Sequence, residues 1–426
     1  MLIEFRVANH RSLRDEQVLT MEAGRVGNEA DPRPRQISGH SERLLTVAAL
    51  YGANASGKSN VLAALDFMRA AVVMSHRFWA SDEGLPRDPF AWGPRKAEPS
   101  LFEVTFLLDG DRFQYGFQAS DERFLEEWLF AWPNGKKQVW FERDNDTYKF
   151  GDNLKGENKL IQDVTRPNAL FLSAAAQHNH PQLVPVFSEF RSFQSVNISV
   201  DRYPATPFRI SSAFALARLL EEEAGEQALL PEEELPEPRL ERFRNLLKKA
   251  DFGVVDLRVE TSKSDEKRRR FSPSFFLRHQ SKSDDAWLPL KEESQGTRTM
   301  FYMALPILEV LEKGGVLVVD ELERSLHPTL AREIIRQFND PKANPQNAQI
   351  IFTTHDTNLL GTTLGEPALR RDQVWLTEKN PEGATVLYPL TDYKPRKAEN
   401  IERGYLQGRY GAIPFLGDFL VEGGPE

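Results

Sequence analysis

The sequence predicts an α/β fold built around a phosphate-binding loop. Residues 52–59 read GANASGKS and fit the pattern Gly-x-x-x-x-Gly-Lys-Ser. An apolar run at residues 44–51 precedes this loop, and residues 59–74 have the apolar spacing of a helix. Two later apolar runs, 314–321 and 350–356, end in acidic residues or a histidine. Strands that end in such groups beside a phosphate loop indicate one mixed sheet with a ligand site at its edge.

Composition excludes several kinds of protein. The chain has 426 residues, a formal charge of −9 and no cysteine, so a disulfide framework and cysteine-ligated zinc are excluded. The negative charge gives no global field for binding nucleic acid, and any such contact has to use local patches. No apolar run reaches the roughly 18 residues of a membrane span. The chain begins directly with a strand pattern, so we expect a cytoplasmic protein without signal peptide or membrane contact.

The loop residues have separate expected roles. Gly52 and Gly57 allow a tight turn that points backbone N–H groups at phosphate oxygens, and the helix N-terminus adds partial positive charge. Lys58 is expected to reach the β- and γ-phosphates, and the Ser59 hydroxyl is expected to bind Mg²⁺. The predicted nucleotide-binding residues of this segment are Gly52, Asn54, Ser56, Gly57, Lys58, Ser59 and Asn60.

Short alternating runs follow the first helix and predict an antiparallel β-rich insertion at about residues 85–165. Its expected strands are 102–108, 112–119, 126–132, 139–143 and 147–150. A further buried strand is expected at 168–177. Helices are expected at 214–223 and 239–250, and strands at 254–260 and 274–278. The predicted organisation is an N-terminal part, 1–200, an insertion, 201–280, and a C-terminal part, 281–426.

Two charged segments of the insertion have open roles. The acidic segment 231–238 is typical of a solvated linker. The basic segment 263–270, KSDEKRRR, is either the disordered tip of a hairpin or a contact for nucleic acid or an acidic partner.

The strand at 314–321 ends in Asp320 and Glu321. At the edge of a parallel sheet Asp320 can hold Mg²⁺, directly or through water, and Glu321 can orient and deprotonate the attacking water. An ordinary strand followed by a capping acid is the alternative, which the phosphate loop disfavours. His355 ends the second apolar run and is either a packing residue or a donor to the γ-phosphate. Residues 294–297 open a helix and form a weak candidate anion site.

Together these motifs resemble the ABC-type ATPases, in the branch that holds SMC-like, RecF-like and OLD-like proteins. The resemblance rests on the loop, on SQGT at 294–297 as the signature motif, on VVDE at 318–321 as Walker B and on TTHD at 353–356 as the switch-histidine motif. The text at 166–183 and the tail at 405–419 resemble the AAA-family ATPases of bacterial abortive-infection and restriction-linked defence operons. The signature departs from the family's LSGGQ, because Gln295 replaces its first glycine.

The resemblance implies an ABC-type ATPase head with a helical lid insertion. It implies that two copies, or a higher homo-oligomer, enclose ATP and Mg²⁺ between the phosphate loop of one chain and Ser294 and Gly296 of the other. It makes Glu321 the catalytic base and His355 the γ-phosphate donor. Gln177 becomes the Q-loop glutamine that senses Mg²⁺ and lid position, with an ordinary polar residue at a strand end as the alternative. Arg11 becomes a basic residue that touches phosphate. An exposed turn residue is the equal alternative for Arg11, and the tail's role is open.

The resemblance also guides the expected function. OLD-like relatives carry a Toprim nuclease, but no Asp-x-Asp pair follows His355 here, so an effector is expected on a separate protein. The favoured hypothesis is the ATPase switch subunit of an antiphage or toxin-like system. A RecF-like ATPase of DNA repair or DNA ends is the alternative, with nucleic acid as partner. An ATP-binding scaffold without catalysis is disfavoured by Glu321, and a transporter ATPase by the long insertion.

Overall fold

The computed structural model describes residues 1–26, 30–38, 40–198, 237–250, 253–264, 270–396 and 399–414. The predicted helix 214–223 lies outside these residues, as do most of the acidic segment 231–238, most of the basic segment 263–270 and the end of the tail.

Strands and helices alternate along the chain. The β-strands are β1 Leu2–Ala8, β2 Gln17–Thr20, β3 Val47–Gly52, β4 Ser100–Leu108, β5 Asp111–Ala119, β6 Phe124–Trp132, β7 Gln138–Asp144, β8 Thr147–Phe150, β9 Gln194–Val196, β10 Val254–Ser264, β11 Arg270–His279, β12 Trp287–Pro289, β13 Val316–Val319, β14 Gln349–Thr353, β15 Val374–Lys379 and β16 Thr385–Pro389. The α-helices of the described residues are α1 Lys58–Met74, α2 Asn158–Val164, α3 Phe171–Gln177, α4 Leu183–Arg191, α5 Glu237–Lys249, α6 Gln295–Lys313, α7 Pro328–Asn339 and α8 Ile401–Leu406.

A six-stranded sheet carries the loop, in the order β16, β15, β3, β14, β13, β9. The strands from β15 to β9 are parallel, and β16 pairs antiparallel with β15. Every residue of β3, β13 and β14 is buried, which explains their nearly continuous apolar sequences. The predicted mixed sheet is therefore confirmed, and the carboxyl ends of its parallel strands meet at one edge.

A seven-stranded antiparallel sheet contains the β-rich insertion, in the order β2, β1, β4, β5, β6, β7, β8. All five strands predicted between residues 102 and 150 are present, with small shifts at their ends. The N-terminal strands β1 and β2 extend the same sheet, since β1 pairs with β4. The insertion thus shares a sheet with the start of the chain.

Helix α1 lies between the two sheets. Its residues Val61–Met74 are all buried, and one apolar cluster joins this helix to β1, to β4 through β7 and to α3 and α4. A second cluster on the other face of the six-stranded sheet contains apolar residues of α5, α6 and α7. The six-stranded sheet that carries the loop is consequently packed against apolar residues on both of its faces.

The prediction of a strand at residues 168–177 is wrong, because α3 occupies Phe171–Gln177. A short apolar run is ambiguous between strand and helix, and the alanines of this one favour a helix. The first N–H groups of α3 also have an acceptor outside the helix. The buried Glu127 carboxylate accepts from the backbone N–H groups of Phe171 and Leu172 at 2.6 and 3.0 Å.

Glu127 is the central group of a buried polar network. It also accepts from the Tyr115 hydroxyl at 2.9 Å and lies 3.8 Å from Arg143. Burial raises the pKa of Glu127, whereas Arg143 and the backbone N–H donors act in the opposite direction. The carboxylate therefore joins β5, β6 and β7 to α3 through groups that have no access to water.

Replacing Glu127 with alanine should lower the free energy of unfolding by about 3 kcal/mol, because it leaves two backbone N–H groups and the Tyr115 hydroxyl buried without their acceptor and the Arg143 charge buried without its partner. Urea unfolding measures this loss. Glu126 is exposed on the same strand, and Glu126→Gln is the matched control, with an expected change below about 0.5 kcal/mol. Equal stability of both variants would contradict the proposed role of the network.

The described part of the 201–280 insertion contains α5 and the hairpin of β10 and β11. The helix predicted at 239–250 is confirmed, and so are the strands at 254–260 and 274–278, each longer than expected. The insertion packs on α6, where the Phe301 ring lies 5.3 Å from Phe243 and 5.0 Å from Phe275. Among the described residues, no helix combines the length and apolar character needed to cross a membrane.

Candidate functional site

The loop between β3 and α1 is shaped by glycine. Gly57 has φ 107°, a conformation that glycine adopts most easily, and directly precedes α1. A Cβ atom on Gly57 would lie 2.0 Å from Thr385 Oγ1, and one on Gly52 would lie 2.4 Å from Thr377 Oγ1. Both glycines are therefore required by close packing against β15 and β16.

Residues far from the loop in sequence support it, and no sequence motif predicts their role. The Thr385 hydroxyl donates to the Ser56 carbonyl at 2.8 Å and lies 2.7 Å from the Ser12 hydroxyl. Ser12 also accepts from the Asn60 amide at 2.6 Å. The Ser56 and Thr377 hydroxyls are 2.6 Å apart. These bonds hold the loop against Ser12 and against strands β15 and β16.

Exposure divides the loop residues into two groups. Asn54 and Ser59 are exposed, whereas Ser56 and Gly57 are buried. Ser56 and Asn60 thus stabilise the loop through the hydrogen bonds just described. Asn54 and Ser59 face the side from which a ligand would approach.

Lys58 is buried at the start of α1. Its ammonium donates to the carbonyls of Gly52 and Ala53 at 2.9 and 3.0 Å. Burial lowers the pKa of Lys58, and the carboxylates of Asp320 and the acidic residues that follow it oppose this shift. The lysine therefore places a positive charge inside the loop, beside the carboxylates of the neighbouring strand end.

A hydroxyl and a carboxylate meet at the same edge. Ser59 Oγ donates to Asp320 Oδ1 at 2.9 Å, and Thr353 Oγ1 donates to the same oxygen at 2.6 Å. The exposed serine hydroxyl and an aspartate oxygen are the donor types that Mg²⁺ takes beside nucleotide phosphates. The chemistry of this pair fits Mg²⁺.

Glu321 has an unusual backbone. Its φ is 53°, in the left-handed region that non-glycine residues rarely adopt. Its N–H donates to Thr353 Oγ1 at 2.7 Å. The side chain is about half exposed, and its carboxylate lies 4.0 Å from Arg324. Glu321 thus presents an accessible carboxylate directly beside Asp320.

His355 follows β14 at this edge. Its backbone N–H donates to Glu323 Oε1 at 2.6 Å. Desolvation lowers the pKa of His355, the nearby Lys58 lowers it further, and the carboxylates of Glu323, Glu321 and Asp320 raise it. The net lowering of the pKa favours the neutral imidazole, which can donate one ring N–H. The sequence motifs predict no role for Glu323, although this acid follows Glu321 by only two residues.

Asn197 is another missed residue of the edge. It follows β9, the strand beside β13, and its side-chain amide donates to the Asp320 carbonyl at 3.3 Å. The register of a parallel sheet brings the ends of β9 and β13 together. An amide in a turn gives no sequence signal for this position.

Gln177 is not brought to the loop. It is exposed at the end of α3, and the ring of the next residue, His178, lies 6.0 Å from the His76 ring. His76 follows the end of α1, whereas the loop is at its start. A helix of 17 residues is about 25 Å long. Among the described residues, an amide that does contact Asp320 is that of Asn197.

Ser294, Gly296 and Arg11 lie outside the cluster of Lys58, Asp320 and His355. Ser294 is exposed and caps α6, since its hydroxyl accepts from the Thr297 N–H at 3.1 Å. Gly296 lies in the first turn of α6. Arg11 has φ 49° and pairs with Asp88, with 3.3 Å between Nε and the carboxylate.

Comparison with known proteins adds a family. A profile described as "AAA domain, putative AbiEii toxin, Type IV TA system" matches residues 47–361, well over half of the chain. None of the curated proteins compared with the chain matches its sequence.

Several solved structures have low similarity to the whole chain. An SMC head bound to the C-terminal winged-helix domain of ScpA has 13% identity and a TM-score of 0.45, covering 91% of this chain and 96% of that one. The SMC head domain of Thermotoga maritima has 14% identity and a TM-score of 0.39, with coverages of 91% and 98%. An SMC head with an extended coiled coil, bound to the C-terminal domain of ScpA derived from Pyrococcus furiosus, has 12% identity, a TM-score of 0.41 and coverages of 96% and 98%.

Proposed function

The chain belongs to this AbiEii-toxin-like family of AAA domains, and from that premise we propose that it is an ATP-binding and ATP-hydrolysing switch subunit. The proposed setting is a bacterial antiphage or toxin-like system in which a separately encoded effector is controlled. One observation carries the enzymatic part of the proposal. Three different strand ends bring five residues to one edge of the sheet: Lys58, Ser59, Asp320, Glu321 and His355.

Each group has a proposed role. The loop N–H groups and Lys58 bind the β- and γ-phosphates of ATP. Ser59 and Asp320 would hold Mg²⁺, which neutralises phosphate charge when bound. Glu321 orients the attacking water and accepts its proton. The neutral His355 imidazole donates a hydrogen bond to the γ-phosphate, where negative charge must be stabilised.

The second half of the switch is proposed to come from another copy of the chain. Ser294 and Gly296 are at the N-terminus of α6, a long helix of 19 residues, and Ser294 is exposed. An exposed helix N-terminus can approach the γ-phosphate bound by a partner chain. Closure would then depend on the γ-phosphate, and hydrolysis would release it.

The direct test of the proposed activity is steady-state hydrolysis of ATP by the purified chain, with and without Mg²⁺. We expect slow hydrolysis that requires the metal. The absence of hydrolysis under all metal and nucleotide conditions, in a folded preparation, would contradict the enzymatic proposal.

The effector part has its own test. The chain is co-expressed with the proteins encoded beside it and examined by mass photometry with ATP and Mg²⁺. An ATP-dependent assembly that contains a neighbour supports the effector switch. A mass shift on adding DNA, without any neighbour, would favour the RecF-like alternative instead, and salt-sensitive, DNA-stimulated hydrolysis would support that result.

A further inference from the structure

We propose that Thr353 is a positioning residue that holds Glu321 and Asp320 in their working arrangement. The inference rests on the proposed ATPase function and extends it to a buried residue outside the phosphate loop. Thr353 is the last residue of β14 and is fully buried. It acts on the acidic residues of the neighbouring strand end.

A single hydroxyl makes both contacts. Thr353 Oγ1 donates to Asp320 Oδ1 at 2.6 Å and accepts from the Glu321 N–H at 2.7 Å. A threonine hydroxyl has one hydrogen to donate and lone pairs to accept, so the two bonds are compatible. The Thr353 carbonyl accepts a third bond, from the Leu322 N–H at 3.1 Å. Residue 353 thus binds three consecutive residues, 320–322, of the segment 320–323 that follows β13, which we call the acidic turn.

The contact to Glu321 matters because of its backbone. A non-glycine residue at φ 53° is strained by about 1–2 kcal/mol and persists only where its surroundings hold it. The buried hydroxyl supplies the acceptor for the N–H group of this residue. Without that acceptor, we expect the Glu321 backbone to relax to a less strained conformation. This change would turn the Glu321 carboxylate away from the site.

The contact to Asp320 has a second effect. Asp320 Oδ1 accepts from both Ser59 and Thr353, so the carboxylate is fixed between α1 and β14. Two residues after Thr353, His355 is joined to the same turn through Glu323. The end of β14 and the acidic turn therefore form one hydrogen-bonded unit, in which the threonine hydroxyl sets the orientation of both carboxylates.

Two substitutions of similar size distinguish the effect of the hydroxyl from the effect of side-chain volume. Thr353→Val keeps the branched shape and loses both hydroxyl bonds. Thr353→Ser keeps the hydroxyl and loses a methyl group. We expect Thr353→Val to reduce kcat at least about tenfold, the order of effect of losing correct catalytic orientation. KM and the Kd for a non-hydrolysable ATP analogue should stay within about threefold, because the loop and Lys58 are unchanged.

Thr353→Ser should recover kcat to within about threefold of the wild type. Thr46→Val is the matched control, because Thr46 is equally buried but directly precedes β3, at the opposite edge of the sheet. It should leave kcat unchanged. Melting temperatures of all variants are measured without nucleotide.

Each outcome decides the inference. A normal kcat in Thr353→Val overturns it, and so does a serine variant as impaired as the valine variant. Loss of analogue binding together with kcat would show a structural role instead. Wild-type protein without hydrolysis overturns the proposed function and this inference together, whereas an active wild type with an equally active valine variant removes only the inference.

Discussion

Replacing Lys58 with alanine is expected to abolish nucleotide binding, with a rise in Kd of at least about 100-fold. A charge-assisted hydrogen bond to phosphate contributes roughly 1.5–3 kcal/mol, and the lysine is expected to make more than one. Every 1.4 kcal/mol corresponds to about a factor of ten in Kd. The ammonium lies inside the loop, where it donates hydrogen bonds to the carbonyls of Gly52 and Ala53. It is therefore already placed to contact phosphate oxygens bound by the loop.

Isothermal titration with a non-hydrolysable ATP analogue measures this loss. Lys342→Ala is the matched control, because Lys342 is an exposed lysine beyond the end of α7, and its Kd should equal that of the wild type. The melting temperature without nucleotide shows whether the loop still folds. If a folded Lys58→Ala protein binds the analogue within threefold of the wild type, the loop is not the nucleotide site.

Replacing Glu321 with glutamine is expected to have the second largest effect, on hydrolysis alone. An amide can hold a water molecule but cannot take its proton, and general bases contribute about 100- to 10,000-fold to rate. We therefore expect kcat to fall at least about 100-fold while ATP binding is kept. The bound nucleotide should then accumulate in the closed assembly.

Mass photometry with ATP and Mg²⁺ detects that accumulation as a shift to a dimer or larger species. The same shift should be absent with ADP, since closure is proposed to need the γ-phosphate. Glu366→Gln, at an exposed glutamate, is the matched control for activity and assembly. Hydrolysis at the wild-type rate by Glu321→Gln would show that another group is the base.

The sequence predicted the parts of the site that are local. The phosphate loop carries its own signature, and Asp320 and His355 each follow a short apolar run that indicates a buried strand. Because the carboxyl ends of parallel strands meet at one edge, the convergence of Lys58, Asp320 and His355 was also predictable. The mixed sheet and the antiparallel insertion followed from periodicity in the same way.

The missed parts depend on contacts between distant residues. Nothing near Ser12 in the sequence indicates that its hydroxyl meets Thr385, and nothing near Thr353 indicates that it faces Asp320. The error at residues 168–177 has a related cause, because the acceptor for the start of α3 is Glu127 on a strand of the insertion. Polar residues without a motif show their role only once the sheets are paired.

The strand order of the six-stranded sheet has a consequence for synthesis on the ribosome. Both neighbours of β3 in the sheet, β14 and β15, are translated long after it. Thr385 lies 329 residues after Ser56 and 373 after Ser12. At about 5–20 residues per second, the interval from Ser56 to Thr385 is roughly 15–65 s. A nascent chain that already contains the complete GANASGKS motif therefore lacks the contacts from Thr377 and Thr385, and we expect the proposed nucleotide binding only after translation has passed β16.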